Sequence, residues 1–168
     1  RKCMGCEEIS YLKKEIPFIQ NDKKQIISPE TAYQITSMME GAIKRGTGRK
    51  LRDLNLPLAG KTGTVDDFTD ASFIGFDPDI TVGVWVGHDE KKPLGPNEEG
   101  ARAALPIWIE FMKSHIALKN ERPEFSTPGN IIFLSIDGET GNVTNKPSRG
   151  TITEAFIAGT EPSVMFSH

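Results

Sequence analysis

The sequence predicts an α+β fold, an antiparallel sheet flanked by helices. Three observations carry this. Apolar residues recur with helical spacing at Ala32, Ile35, Met38, Met39, Ala42 and Ile43. Three β-rich runs then follow between positions 56 and 87, joined by turns too short for a parallel crossover. A second run, Ala101 to Leu118, carries a broad apolar face at Ala104, Leu105, Trp108, Ile109, Met112 and Ile116. Helix, antiparallel meander, helix is the order of a sheet covered by helices.

Taken in order, positions 1–25 are charged and irregular and read as a surface excursion with one short helix. Ser28 is a good N-cap, Pro29 suits the first helical position and Glu30 the first turn. Lys44 and Arg45 fall in the last turn, and Gly46 can end the helix. Gly46 to Lys50 reads as a loop. The three strands are Leu56–Val65, Ala71–Phe76 and Ile80–Gly87, a meander whose apolar composition implies cover on both faces. Lys91 to Gly100 is a Pro/Gly loop, and Pro106 should kink the next helix or mark its first turn. Beyond Lys119, Ile131–Ile136 reads as a strand, 137–142 as a turn, and Val143 as the start of a returning strand. The rest of the tail reads as mostly extended. The domain division expected is 1–118 for the main unit and 119–168 for a C-terminal extension with a β-hairpin.

Composition narrows the function. Among 168 residues, 20 basic and 23 acidic side chains leave a net charge of −3, which gives no general pull on nucleic acid. No apolar run approaches the ~18 residues of a membrane span, so no membrane contact is expected of this segment. The sequence opens on Arg1 without a leader-like apolar stretch, which fits a segment of a longer chain. Cys3 and Cys6 form a Cys-x-x-Cys. A redox motif should follow a strand, and Glu7 and Glu8 would raise a thiol pKa. A zinc site needs about four ligands, and His88, His115 and His168 are scattered. A small disulfide loop or two free thiols is the preferred reading. No metal and no cofactor is expected.

The informative stretch is Lys61-Thr62-Gly63-Thr64. On a strand, Lys61 and Gly63 share one face and Thr62 and Thr64 the other. An ammonium and two hydroxyls suit a carboxylate, and the glycine admits a close-lying backbone. An edge strand could pair with an extended peptide. Together these describe a strand that binds a peptide carboxylate. A phosphate-binding loop ending at Gly60-Lys61-Thr62 is rejected, because Asn55 stands where it needs glycine and no helix follows directly.

With these residues in place, the chain resembles the C-terminal part of the transpeptidase domain of class A penicillin-binding proteins, the bifunctional peptidoglycan synthases. The resemblance runs through PETAYQITSMMEGAIKRGTG (29–48), LAGKTGTV (58–65), Phe73 to Gly87, Pro93-Leu94-Gly95 and GARAALPIWIEFM (100–112). It continues in Asp137 to Gly141 and Glu154 to Pro162. It implies a β-lactamase/transpeptidase-like fold. It also implies a serine enzyme that cross-links peptidoglycan stem peptides ending in D-Ala-D-Ala and is acylated by β-lactams. Implied roles follow for Lys61, Thr62, Gly63 and Thr64. Lys61 supplies charge and proton-network support, Thr62 and Thr64 bind the substrate carboxylate, the Thr64 N–H serves the oxyanion, and Gly63 lets substrate approach. Lys61 and Thr64 are the catalytic candidates, and all four are substrate-binding candidates. The implied location is the extracytoplasmic face of the bacterial membrane. Ser72 departs from the resemblance, since the family commonly has Trp there; this puts the packing behind the site in question.

The family also needs Ser-x-x-Lys and Ser-x-Asn. No Ser-x-Asn occurs, and Ser10-Tyr11-Leu12-Lys13 is the sole Ser-x-x-Lys. About one such match is expected by chance in a chain of this composition, and it sits too close to Lys61. The nucleophile is therefore expected on the remaining N-terminal part of the same protein. A non-catalytic binding or sensor module is the alternative.

Overall fold

The computed structural model describes residues 2–4, 18–20, 24–46, 48–54, 56–64, 66–96, 98–119 and 123–162. Its leader differs from the irregular excursion expected. β1 (Lys2–Met4) pairs antiparallel with β2 (Phe18–Gln20). The Ser10–Lys13 motif and both cysteine thiols lie outside the described residues and side chains, and no helix occurs among the described residues of positions 1–25.

Helix α1 (Pro29–Lys44) begins where the capping signal puts it. Ser28 is extended, and its Oγ accepts the Thr31 N–H at 3.1 Å. That hydrogen bond and the Ser28 Oγ beside Glu30 also hold the helix entry, where hydrogen bonding draws the Glu30 carboxyl below its ordinary pKa. The apolar stripe is only partly buried. Ile43 is in the core, whereas Ile35 and Met38 are exposed. The helix instead turns Tyr33, Gln34 and Arg45 toward the tail hairpin described below. After Gly48 the chain tightens into a 3₁₀ helix, Arg49–Leu54, where a plain loop was expected, and seats Leu51 in the core.

The meander forms as one three-stranded sheet in the order β3 (Ala59–Thr64), β4 (Asp70–Phe76), β5 (Thr81–Gly87). Its register sends Ala71, Phe73 and Gly75 to one face, opposite Val86, Val84 and Val82. α2 (Leu105–Ala117) covers that face with Leu105, Trp108 and Met112, all fully buried. Pro106 lies in the first turn of α2, so the helix starts later than Ala101. The Trp108 ring meets Phe73 edge-on at 5.1 Å, and its Nε1 donates to the Val82 carbonyl at 3.1 Å. Gly75 makes this packing possible, since a Cβ there would lie 2.7 Å from Trp108 Cζ2.

The opposite face corrects the expectation of cover on both sides. Phe125 closes its Ala59–Phe76 end through an edge contact with Phe76 at 5.7 Å. The remainder, with Ile74 and Trp85, is open: these side chains are 54% and 59% exposed. Strand apolarity alone could not distinguish a covered face from one awaiting a cover.

The tail is also rearranged relative to expectation. β6 (Ile131–Asp137) pairs along its full length with β7 (Thr151–Ile157), and Val143 makes only an isolated bridge to Ile136. The Asp137 carboxylate accepts the Thr140 and Glu139 N–H groups and the Thr140 hydroxyl, which fixes the turn and depresses the Asp137 pKa. The hairpin docks on α1. Tyr33 meets Phe133 edge-on at 6.1 Å, Gln34 Nε2 donates to the Ala155 carbonyl, and Arg45 pairs with Glu154 at 2.6 Å.

Candidate functional site

β3 ends the strand order, so its outer edge pairs with no other strand among the described residues. Its inner edge runs along β4, with Lys61 opposite Ile74, Thr62 opposite Phe73, Gly63 opposite Ser72 and Thr64 opposite Ala71. Lys61 and Gly63 therefore share the open face with Ile74 and Ser72. Thr62 and the Thr64 backbone position belong to the face that carries Phe73 and Ala71. This is the alternation expected from the sequence.

The two faces still converge at one point. The exposed Lys61 Nζ donates to the Thr62 carbonyl at 3.0 Å and approaches the Thr62 Oγ1 to 3.4 Å. An ammonium and a hydroxyl are thus held together at the rim of the strand. Such a pair can give charge-assisted hydrogen bonds to a carboxylate. The Thr64 side chain lies outside the described side chains, and its backbone is held in register by Ala71.

Two features of the site were not read from the sequence as positioning elements. Gly100 lies against the back of the strand: a Cβ there would stand 2.3 Å from the Ser72 oxygen, 2.9 Å from the Gly63 oxygen and 3.2 Å from Thr62 Cβ. No local pattern pairs Gly100 with Gly63 across such a distance in sequence. Ser72 fills the position opposite Gly63, its Oγ 3.5 Å from the Gly63 carbonyl oxygen. A small hydroxyl here thus occupies the space beside the glycine. Among the described residues no group of His, Cys, Asp and Glu is placed to hold a metal ion.

β3 is thus an edge strand of the sheet that carries Lys61, Thr62 and Gly63, with Gly100 seated behind it. Residues 12–113 match the penicillin binding protein transpeptidase domain, and the chain belongs to that family. The resemblance is to the class A members. It is 38% identical over 159 residues to penicillin-binding protein 1A of Rickettsia conorii, covering 93% of this chain and 20% of that protein. It is 41% identical over 155 residues to penicillin-binding protein 1A of Pseudomonas aeruginosa, covering 90% of this chain and 19% of that one. The crystal structure of penicillin-binding protein 1A from Haemophilus influenzae superposes with a TM-score of 0.73 at 33% identity, over 84% of this chain and 22% of that one. The chain therefore spans about a fifth of the length of the curated relatives it matches.

Proposed function

We propose that this chain is the C-terminal portion of a serine D-Ala-D-Ala transpeptidase and forms one wall of its catalytic cleft. The parent joins peptidoglycan stem peptides at the extracytoplasmic face of the bacterial membrane, and also polymerises glycan strands. Membership of the family supports the reaction class. The observation that carries the role of this segment is the Lys61 ammonium beside the Thr62 hydroxyl on a terminal strand with an open face.

In the reaction, a serine Oγ attacks the carbonyl of the penultimate D-alanine. The tetrahedral oxyanion collapses, the C–N bond breaks, and terminal D-alanine leaves with the proton lost by the serine. An amine of a second stem peptide then attacks the acyl-enzyme and releases the serine. β-Lactams acylate the same oxygen. Lys61 holds the terminal carboxylate with Thr62 and Thr64, Gly63 lets the peptide lie close, and the Thr64 N–H helps bind the oxyanion. The serine belongs to sequence outside these 168 residues. No cofactor takes part. Residues 1–118 belong to the transpeptidase domain, and 119–168 are an extension whose hairpin braces α1.

In the full-length protein, Lys61→Ala should slow acylation by labelled penicillin at least about tenfold, with an unchanged thermal midpoint. Stopped-flow acylation kinetics and calorimetry measure the two. Unchanged acylation would remove Lys61 from the site and favour a binding module instead.

A further inference from the structure

The turn Asp66–Phe68 lies between β3, which ends at Thr64, and β4, which begins at Asp70. It is strained. Asp67 and Phe68 both sit at positive φ, 63° and 52°, a region that disfavours a bulky side chain such as Phe68. Such a turn persists only where its surroundings over-determine it. If it relaxes, the strand ends that it joins move with it. One tie is the Leu94 N–H, which donates to the Phe68 carbonyl at 2.9 Å. Another is the Asp70 carboxylate.

Asp70 fastens the turn to the sheet. Its Oδ2 accepts the hydroxyl of the buried Thr69 and its Oδ1 accepts Trp85 Nε1–H, each at 3.0 Å. The second bond is built across two strands. Trp85 stands opposite Ser72 and Asp70 opposite Gly87, so the indole reaches its partner on the diagonal. It lies over Gly87, where a Cβ would stand 2.2 Å from Trp85 Cζ2 and 2.7 Å from Asp70 Oδ1. A side chain at 87 would displace the bond. Trp85 is 59% exposed, so burial of the ring does not fix its orientation, whereas the N–H does. The residue after Asp70, Ala71, pairs with Thr64. The fastening therefore sits one position from the partner of the residue whose N–H is assigned to the oxyanion.

We propose that Asp70, held by Trp85, is a positioning residue for the Thr64 N–H: it fixes the strained turn and with it the end of β3. The proposal rests on the transpeptidase reading of β3 and adds the device that aims its oxyanion donor. Such a donor acts on charge that develops in the transition state. The terminal carboxylate is held already in the bound state, by Lys61 and Thr62. A misplaced Thr64 N–H should therefore lower the acylation rate constant and leave binding nearly unchanged.

The test uses the full-length protein and labelled penicillin, with stopped-flow kinetics that separate the dissociation constant from the acylation rate constant. Asp70→Ala should lower the rate constant about tenfold and change the dissociation constant by no more than about twofold. Asp70→Asn keeps an oxygen for Trp85 Nε1–H and should stay within about twofold of the unaltered rate constant. Trp85→Phe keeps an aromatic ring and removes the N–H. It should match Asp70→Ala, and it carries the test alone where Asp70→Ala does not fold. The double variant should be no slower than either single one, because both remove the same bond. A merely structural role would lower the thermal midpoint without splitting the two constants and without rescue by asparagine. Unchanged rate constants in Trp85→Phe, slowing that multiplies in the double variant, or loss confined to the dissociation constant would overturn the positioning role and leave the transpeptidase reading intact. Absence of penicillin acylation in the unaltered protein would overturn both.

Discussion

Lys61 and Thr62 stand on opposite faces of a strand, yet their polar ends meet within 3.4 Å at its rim. A carboxylate bound there takes charge from one and a neutral hydrogen bond from the other. Thr62→Val in the full-length protein should therefore slow penicillin acylation by about threefold, less than Lys61→Ala. Parallel kinetics on the two variants check the order. Gly100 acts on the same pair from behind. Its missing Cβ is room for the backbone oxygens of Ser72 and Gly63. Gly100→Ala must push the loop or the strand aside, at a cost of about 1–3 kcal/mol. Thermal melting should show a lower midpoint and stopped-flow measurements slower acylation. Lys61, Thr62 and Gly63 could be picked out from the sequence because their chemistry is written in adjacent letters. Gly100 could not, because its reason for being glycine lies on a strand distant in sequence.

Among the elements, α2 holds the sheet at two points. Its middle buries Trp108 against Phe73 and Gly75, so Trp108→Ala should cost about 3–5 kcal/mol, measurable by denaturant unfolding. Just past its C-terminus, Lys119 reaches back to Asp77 at 2.8 Å and Asp79 at 2.6 Å, while His115 Nε2 lies 3.5 Å from Asp77. Burial raises the Asp77 pKa, but the Lys119 ammonium and the Ile80 and Asp79 N–H groups outweigh it and leave the carboxyl below its ordinary value. The hydrogen bonds that Lys119 donates to Asp77 and Asp79 raise its own pKa. Because the Asp77 pKa is lowered on folding, its stabilisation is present above the unfolded value, about 3.9, and is lost as pH falls through the folded value. The Lys119 contribution is present below its unfolded value, about 10.4, and is lost as pH rises through the folded one. The thermal midpoint should therefore decline on acidification below about pH 4, and Asp77→Asn should flatten that limb. Helix α1 was legible to the residue because Ser28, Pro29 and Glu30 are local signals. The partner of β6 was not, because the turn at 137–142 is a stronger local signal than the distant pairing that wins. β7 offers β6 seven paired positions, whereas Val143 offers a single bridge.

Across the whole molecule, the order helix, meander, helix followed from apolar spacing, but which faces remain bare did not. Ile74 and Trp85 on the sheet, and Ile35 and Met38 on α1, are exposed apolar side chains on the elements that carry or adjoin the site. A spacing pattern marks a residue as apolar without saying which chain segment covers it. The proposed cover is the part of the protein that bears the nucleophile. The isolated 168-residue chain should accordingly form no stoichiometric adduct with labelled penicillin. Intact-mass spectrometry that found one, at Ser10 for instance, would return the Ser10–Lys13 motif to the catalytic reading.

The clamp of the tail hairpin on α1 sets an order of events during synthesis. Gln34 waits for the carbonyl of Ala155, 121 residues later, and Arg45 for Glu154, 109 residues later. A ribosome has made β3 long before it makes the brace for the helix that precedes it. Nascent chains arrested before Thr151 should expose α1 to protease, and chains extended past Ile157 and clear of the exit tunnel should protect it. The helix that leads toward β3 thus gains this brace only when β7 has been translated.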